Sequence, residues 1–240
     1  MVEGSIALVG SGEYLPVMAD FELSLIKDGQ SNEKQPVYVQ IPTAAGRESR
    51  DRLQYWQELG RKQADLLGVE HVFLPIFDRE AAMNPDYANQ VIESALIYMS
   101  GGDPHYLANT LRGTPVLEAI IKNWKSGGSL AGCSAGAMVM SSKIPHFRIS
   151  SNSPTDGFNL LPNLRVIPHF NKFFKWIPDS AAKVLLDTPG DSILLGIDEK
   201  TALVRRSGEQ AWRAYGEAKV HILKGLPAQQ LSHNDSISLN

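Results

Sequence analysis

"SLAGCSAGAMVM", residues 129–140, reads as a buried strand that turns almost at once into a helix. The small apolar residues from Ser129 to Ala131 form the strand, and AMVMSS, ahead of Pro145, can start the helix. Between them, Gly132-Cys133-Ser134-Ala135-Gly136 fits G-x-S-x-G, in which a serine occupies a tight strand-to-helix turn. Glycines two positions to either side let the backbone crowd together and leave the serine oxygen exposed. The helix that follows aims its free N–H groups and positive dipole end at the same place. The pattern is short, so its weight comes from context.

That context is a chain of short apolar runs separated by mixed stretches. The runs are SIALVG (5–10), PVYVQIP (36–42), HVFLPIF (71–77), SALIYMSGG (94–102), SLAGCS (129–134), LRVIPHF (164–170) and SILLGID (192–198). Helix-like text lies around Asp20–Lys27, Ser49–Leu67, Asn84–Glu93, Pro104–Ser126 and Pro178–Leu186. Short apolar strands alternating with helices predict a mostly parallel sheet covered on both faces, a three-layer α/β arrangement. After Gly196 the text becomes short alternating segments, TALVRR, AWRAYG and KVHIL, which predict an antiparallel hairpin extension. No internal repeat or long linker divides the chain, so one domain over 1–240 is expected, with its core at about 5–225.

Composition narrows the function classes. The 240 residues suffice for a large α/β domain, and 43% apolar with 20% charged residues is ordinary for a globular protein. A net charge of −3 without a basic run leaves no electrostatic footprint for nucleic acid. No apolar stretch approaches the roughly 20 residues needed to cross a bilayer. MVEGSIALVG reads as a strand rather than a signal peptide, and the single cysteine fits a reducing compartment; a cytoplasmic location is expected.

Ligands of such sheets gather at the carboxyl ends of the strands. Gly10-Ser11-Gly12-Glu13, Pro42-Thr43, Gly101-Gly102-Asp103, Ser134, His169 and Asp198-Glu199 all stand there. A cysteine-centred elbow would need glycine-like residues at 131 and 135, which are alanines, whereas the Ser134 frame has glycine on both sides. Cys133 is therefore expected to point into the sheet as a small buried side chain. A serine needs a base. Of the six histidines, His71, His221 and His233 read as structural or surface residues, His105 as a helix start and His146 as a loop residue that stays open. His169, at the end of an apolar run, is the preferred base. Glu199 is the preferred acid; Asp198 beside it faces the other way, and Asp156 is the rival. The glycines at 100–102 suit an oxyanion site, with the Gly102 and Ala135 N–H groups as donors.

Taken jointly, GCSAGA, SGGDPHYL, PHF and GIDEKTAL resemble signatures of the dipeptidase E and cyanophycinase family of serine peptidases, from about residue 5 to about 225. The resemblance implies a fold like the flavodoxin-like class I glutamine amidotransferases, with serine in place of the usual cysteine. It implies Ser134 as nucleophile, His169 as base and, in the manner of cyanophycinase, Glu199 as acid, with Gly102 and Ala135 matching the oxyanion donors. In dipeptidase E the acid lies between serine and histidine, where this chain offers Ser151-Asn152 or Asp156. The chain departs from the cyanophycinases after the histidine: HFNKFFKWIPDS has Lys172, Phe173, Phe174 and Lys175 where they carry arginines, which argues against cyanophycin as substrate.

The expectation is a serine-type hydrolase cutting amide bonds of small peptides through an acyl-enzyme, with no cofactor and no metal. Its partner is a small peptide or amide; neither nucleic acid nor membrane is expected, and a homodimer is allowed. Two alternatives stand beside it: a glutamine amidotransferase-like enzyme using Cys133, and an inactive small-molecule-binding relative. A dinucleotide site at Gly10-x-Gly12 fails because Leu15 holds the third glycine position, and no H-E-x-x-H type spacing supports a metal. Arg47, Lys172 and Lys175 are candidates for holding a substrate carboxylate.

Overall fold

The computed structural model describes residues 2–145, 154–172 and 192–239. Strands and helices alternate in its first part: β1 (Ile6–Val9), α1 (Ala19–Ser31), β2 (Gln35–Ile41), α2 (Arg50–Leu67), β3 (Glu70–Phe73), α3 (Arg79–Ala82), α4 (Pro85–Val91), β4 (Ser94–Met99), α5 (Pro104–Leu111), α6 (Pro115–Lys125), β5 (Ser129–Cys133) and α7 (Ala135–Met138). Strands dominate the rest: β6 (Lys143–Ile144), β7 (Thr155–Asp156), β8 (Leu164–Ile167), β9 (Ile193–Ile197), β10 (Thr201–Arg205), β11 (Trp212–Gly216), β12 (Val220–Lys224), β13 (Gln229–Leu231) and β14 (Ser236–Ile237).

The main sheet has the order β14-β11-β10-β1-β5-β4-β2-β3, parallel from β1 to β3 and antiparallel from β1 to β14. Strands β1, β4 and β5 are buried along their whole length, as a parallel sheet covered on both faces requires. The two-residue pleat sorts their side chains. Ala7, Val9, Leu96, Tyr98, Ala131 and Cys133 pack with Phe21, Leu25 and Ile26 of α1 and Ala64 of α2. Ile6, Leu8, Ile97, Met99 and Leu130 face the other layer, with Leu107 of α5 and Ile120 of α6.

Two features differ from the sequence reading. Pro104–Ser126 is two helices rather than one. The chain leaves α5 at Gly113 (φ +67°), and Thr114 caps α6 by accepting from Leu117 N at 3.4 Å, with Pro115 as the first helical residue. Second, the apolar runs do not share one sheet. Strands β8 and β9 pair in parallel within a four-stranded sheet of order β13-β12-β9-β8. The carboxyl-terminal segments divide between the two: β10 and β11 extend the main sheet, while β12 joins the smaller one. The helix expected at Pro178–Leu186 lies outside the described residues.

Beneath the rim of the sheet, Glu22 of α1 is 0% exposed. Its Oε2 accepts from Gln63 Nε2 at 3.0 Å and from Tyr38 Oη at 3.3 Å, while Oε1 has no partner among the described residues. Burial pushes its pKa from 4.5 up to about 8, against those two hydrogen bonds. The folded chain therefore holds a proton that the unfolded chain releases, and stability falls as pH rises between those values, by about 1.4 kcal/mol per unit at most. Thermal melts of the wild type are expected to drop in midpoint from pH 5 to pH 8. Glu22→Gln, which keeps the shape and cannot ionise, is expected to flatten that dependence.

Candidate active site

Strand register brings the rim together. In the parallel pair β1–β5, Val9 stands opposite Cys133, and in β4–β5 Met99 stands opposite Gly132. Ser134 and the Ser100-Gly101-Gly102 turn thus leave the sheet side by side. Because β10 runs antiparallel to β1, with Val9 opposite Ala202, the Asp198–Lys200 turn falls at the same end. Strand β8 pairs with β9 so that Ile167 meets Gly196, and His169 follows two residues later. The amide of His169 donates to Gly10 O at 3.4 Å and that of Lys200 to Ser11 O at 3.0 Å, tying both segments to the end of β1.

Ser134 occupies φ 50°, ψ −107°, a strained conformation for a residue with a side chain. It is held from both sides: its N–H donates to Val9 O at 2.9 Å, and its carbonyl accepts from Ala137 N at 3.0 Å and Met138 N at 3.1 Å. The flanking glycines are a spatial requirement. A Cβ on Gly132 would stand 2.3 Å from Gly136 O, and one on Gly136 would stand 2.4 Å from Met99 O. This backbone aims the Ser134 hydroxyl at the imidazole of His169, with Oγ 3.1 Å from Nε2. On the far side of the ring, Nδ1 lies 3.1 Å from Glu199 Oε1. Lys172 Nζ sits 2.5 Å from the other carboxylate oxygen. Partial burial works to raise the Glu199 pKa, but Lys172 and His169 prevail and hold it below the usual glutamate value.

The other candidates are placed elsewhere. Asp156 is ion-paired with Lys143 and, at 3.1 Å, with Arg112, on the β6–β7 hairpin. Asp198 faces away from the site, with Oδ1 3.1 Å from His221 Nε2. His71 Nε2 lies 2.9 Å from Gln40 Oε1, His105 Nδ1 lies 2.8 Å from Thr155 Oγ1, and His233 Nδ1 accepts from Gly216 N at 3.2 Å. Arg47 stacks over Tyr106 with 4.2 Å to the ring centroid. His146, Ser151, Asn152 and Lys175 lie outside the described residues. No group of three or more His, Cys, Asp or Glu able to hold a metal occurs among the described residues, and no helix among them is long and apolar enough to cross a membrane.

Glu13, which the sequence places at the rim without a role, has contacts there that no local pattern indicates. Its carboxylate reaches across the strand ends, accepting from Gly101 N at 3.0 Å through one oxygen and from the Cys133 thiol at 2.9 Å through the other. The thiol is 0% exposed, and burial followed by the Glu13 carboxylate pushes its pKa well up. Cys133 thus faces the α1–α2 layer as a protonated donor, which weighs against the amidotransferase-like reading. The only advance signal for Glu13 was its position after the first apolar run.

A strained serine bonded to an imidazole, itself bonded to a carboxylate, on the rim of an α/β sheet, is the constellation of Ser-His-acid hydrolases. More narrowly, the chain belongs to peptidase family S51, whose model matches residues 6–212. It is similar to a cyanophycinase of Geminocystis herdmanii, 29% identical over 74% of this chain and 64% of that one, so the chain spans less than two thirds of that relative's length. An uncharacterized peptidase of Listeria monocytogenes is 24% identical over 82% of this chain and 91% of its own. Among solved structures, a peptidase from an acI-B1 Actinobacterium superposes with a TM-score of 0.97 at 63% identity, covering 99% of this chain and 98% of that one.

Proposed function

We propose that the chain is a serine-type peptidase that hydrolyses an amide bond of a small peptide through an acyl-enzyme. The observation that carries this reading is the unbroken relay of two 3.1 Å contacts from Ser134 through His169 to Glu199. Ser134 Oγ attacks the scissile carbonyl while His169 Nε2 takes its proton and then passes it to the leaving amine. Glu199 holds the ring through Nδ1 and stabilises the imidazolium that forms, a task suited to a carboxylate kept ionised by Lys172. Water then repeats the sequence on the ester, with His169 again as base.

The oxyanion is assigned to the N–H groups of Gly102 and Ala135. Ala135 is the first residue of α7, where an N–H has no acceptor within its own helix. Gly102 belongs to the turn whose neighbour, Gly101, would bring a Cβ within 3.4 Å of the Ser134 Cβ. Such donors stabilise charge only as it develops, so they act on kcat. Cyanophycin, which the name of the Geminocystis herdmanii relative points to, is set aside because Asn171-Lys172-Phe173-Phe174-Lys175-Trp176 offers no arginine after His169.

A fluorophosphonate probe is expected to label the wild-type protein at one site, identified as Ser134 by peptide mass spectrometry, and to leave Ser134→Ala unlabelled. Equal labelling of the two proteins would remove Ser134 as the nucleophile.

A further inference from the structure

Beside the relay lies a cleft of about 300 Å³ that the hydrolytic step does not use. Its lining combines the apolar Leu15, Tyr55, Trp56 and Leu59 with the acids Glu13 and Glu199. Both acids are one contact removed from the serine. Glu199 reaches it through His169, and Glu13 is bonded to Cys133, the residue before it. Leu15 is 37% exposed and Tyr55 48% exposed, so two of the few large apolar side chains left open to solvent flank this one cleft. Scattered exposed apolar residues need no explanation, but two converging on a concavity beside a reactive serine do.

We infer that this cleft is a specificity subsite for a large apolar or aromatic side chain on one of the two residues joined by the scissile bond. This rests on the peptidase reading above. Size is the first argument. The volume stands at the low end of small-molecule sites, enough for one bulky side chain and too small for an extended polymer. Charge is the second. The cation lining the cleft, Lys200, has its ammonium 3.3 Å from Glu217, and Lys172 next to the relay is committed to Glu199. Arg52, whose guanidinium stands 4.9 Å from the Tyr55 and Trp56 ring centroids, is paired with Glu48 at 3.5 Å. An acidic side chain entering here would therefore meet the Glu13 carboxylate with each of these cations already matched to an acid, whereas an apolar one would cover Leu15, Tyr55 and Trp56.

Binding is measured by calorimetry on the Ser134→Ala protein, so that no turnover is needed, using dipeptides carrying Phe or Leu at either position against Gly-Gly and against Asp-containing counterparts. The Phe or Leu dipeptides are expected to bind on the order of ten- to a hundredfold more tightly than Gly-Gly, with the Asp dipeptides weaker than the Phe ones. Tyr55→Ala and Leu15→Ala, both at exposed positions, are expected to remove most of that advantage while leaving Gly-Gly unchanged. Equal affinity across the panel, tighter binding of the Asp dipeptides, or an apolar preference that survives both substitutions would overturn the assignment. A protein that binds with this preference yet shows no Ser134-dependent labelling would retain the subsite and lose the peptidase reading.

Discussion

Ser134→Ala and His169→Ala are each expected to lower kcat/KM for a cleavable dipeptide by roughly 10⁴- to 10⁶-fold, and the double variant no further than either alone. The reason is physical dependence rather than shared location. A hydroxyl without its base is unreactive at neutral pH, and a base without its hydroxyl has no proton to take. Glu199→Gln is expected to cost about 10²- to 10⁴-fold, chiefly in kcat, because an amide neither stabilises the imidazolium nor fixes the tautomer that leaves Nε2 free to accept. Lys172→Met is expected to cost less than about tenfold, since it removes only a partly exposed ion pair from the far oxygen of that carboxylate. Steady-state kinetics on the four variants checks the ranking. Additive losses at Ser134 and His169 would mean that the 3.1 Å contact between them is not used in the reaction.

What could be read in the sequence and what could not divide along a physical line. Local signals with a short range were legible: the glycines around Ser134, the apolar runs that became β1, β2, β4 and β5, and the serine that starts α2, where Ser49 accepts from Arg52 N at 3.4 Å. Strand ends were legible because hydrophobic runs stop where the chain leaves the sheet, which is why His169 and Glu199 stand among the candidates by position, with Asp156 still a rival for the acid. The break between α5 and α6 is written in Gly113, Thr114 and Pro115, a stop, a cap and a start, within text that is helix-like on both sides. Which strands share a sheet was not legible at all. LRVIPHF and SILLGID look like the other runs, and only their pairing partners place them in the second sheet. The contacts of Glu13 are illegible for the same reason, although its strand-end position is not. Its carboxylate acquires a role by meeting Gly101 and Cys133, residues 88 and 120 positions away, and no spacing rule within one segment encodes such contacts.

Gly102→Ala tests the least local part of the site. The residue sits at φ +137°, a region that side chains avoid, and an added Cβ would stand 2.4 Å from Ala44 O. Neither backbone can yield freely: Asp103 N donates to Ala44 O at 2.9 Å, and Asp103 in turn caps α5 through His105 N at 2.8 Å and Tyr106 N at 3.0 Å. The alanine must therefore rotate or displace the peptide at 102, and its N–H moves with it. A displaced oxyanion donor is expected to lower kcat by roughly 10²- to 10³-fold with KM changed only a few-fold, because the donor acts on charge present in the transition state and not on the bound ground state. Strain alone does not account for such a loss, and Gly68→Ala supplies the comparison. Gly68 ends α2 at φ +70° with nothing within 4 Å of an added Cβ, so it carries the conformational cost without the collision and without a neighbour at the serine. Gly68→Ala is expected to lose on the order of 1 kcal/mol of stability in denaturant melts, Gly102→Ala more because of the added collision, and Gly102→Ala alone is expected to lose turnover. If the two fall together in stability and neither falls in kcat, the negative charge of the tetrahedral intermediate must be met by donors other than Gly102.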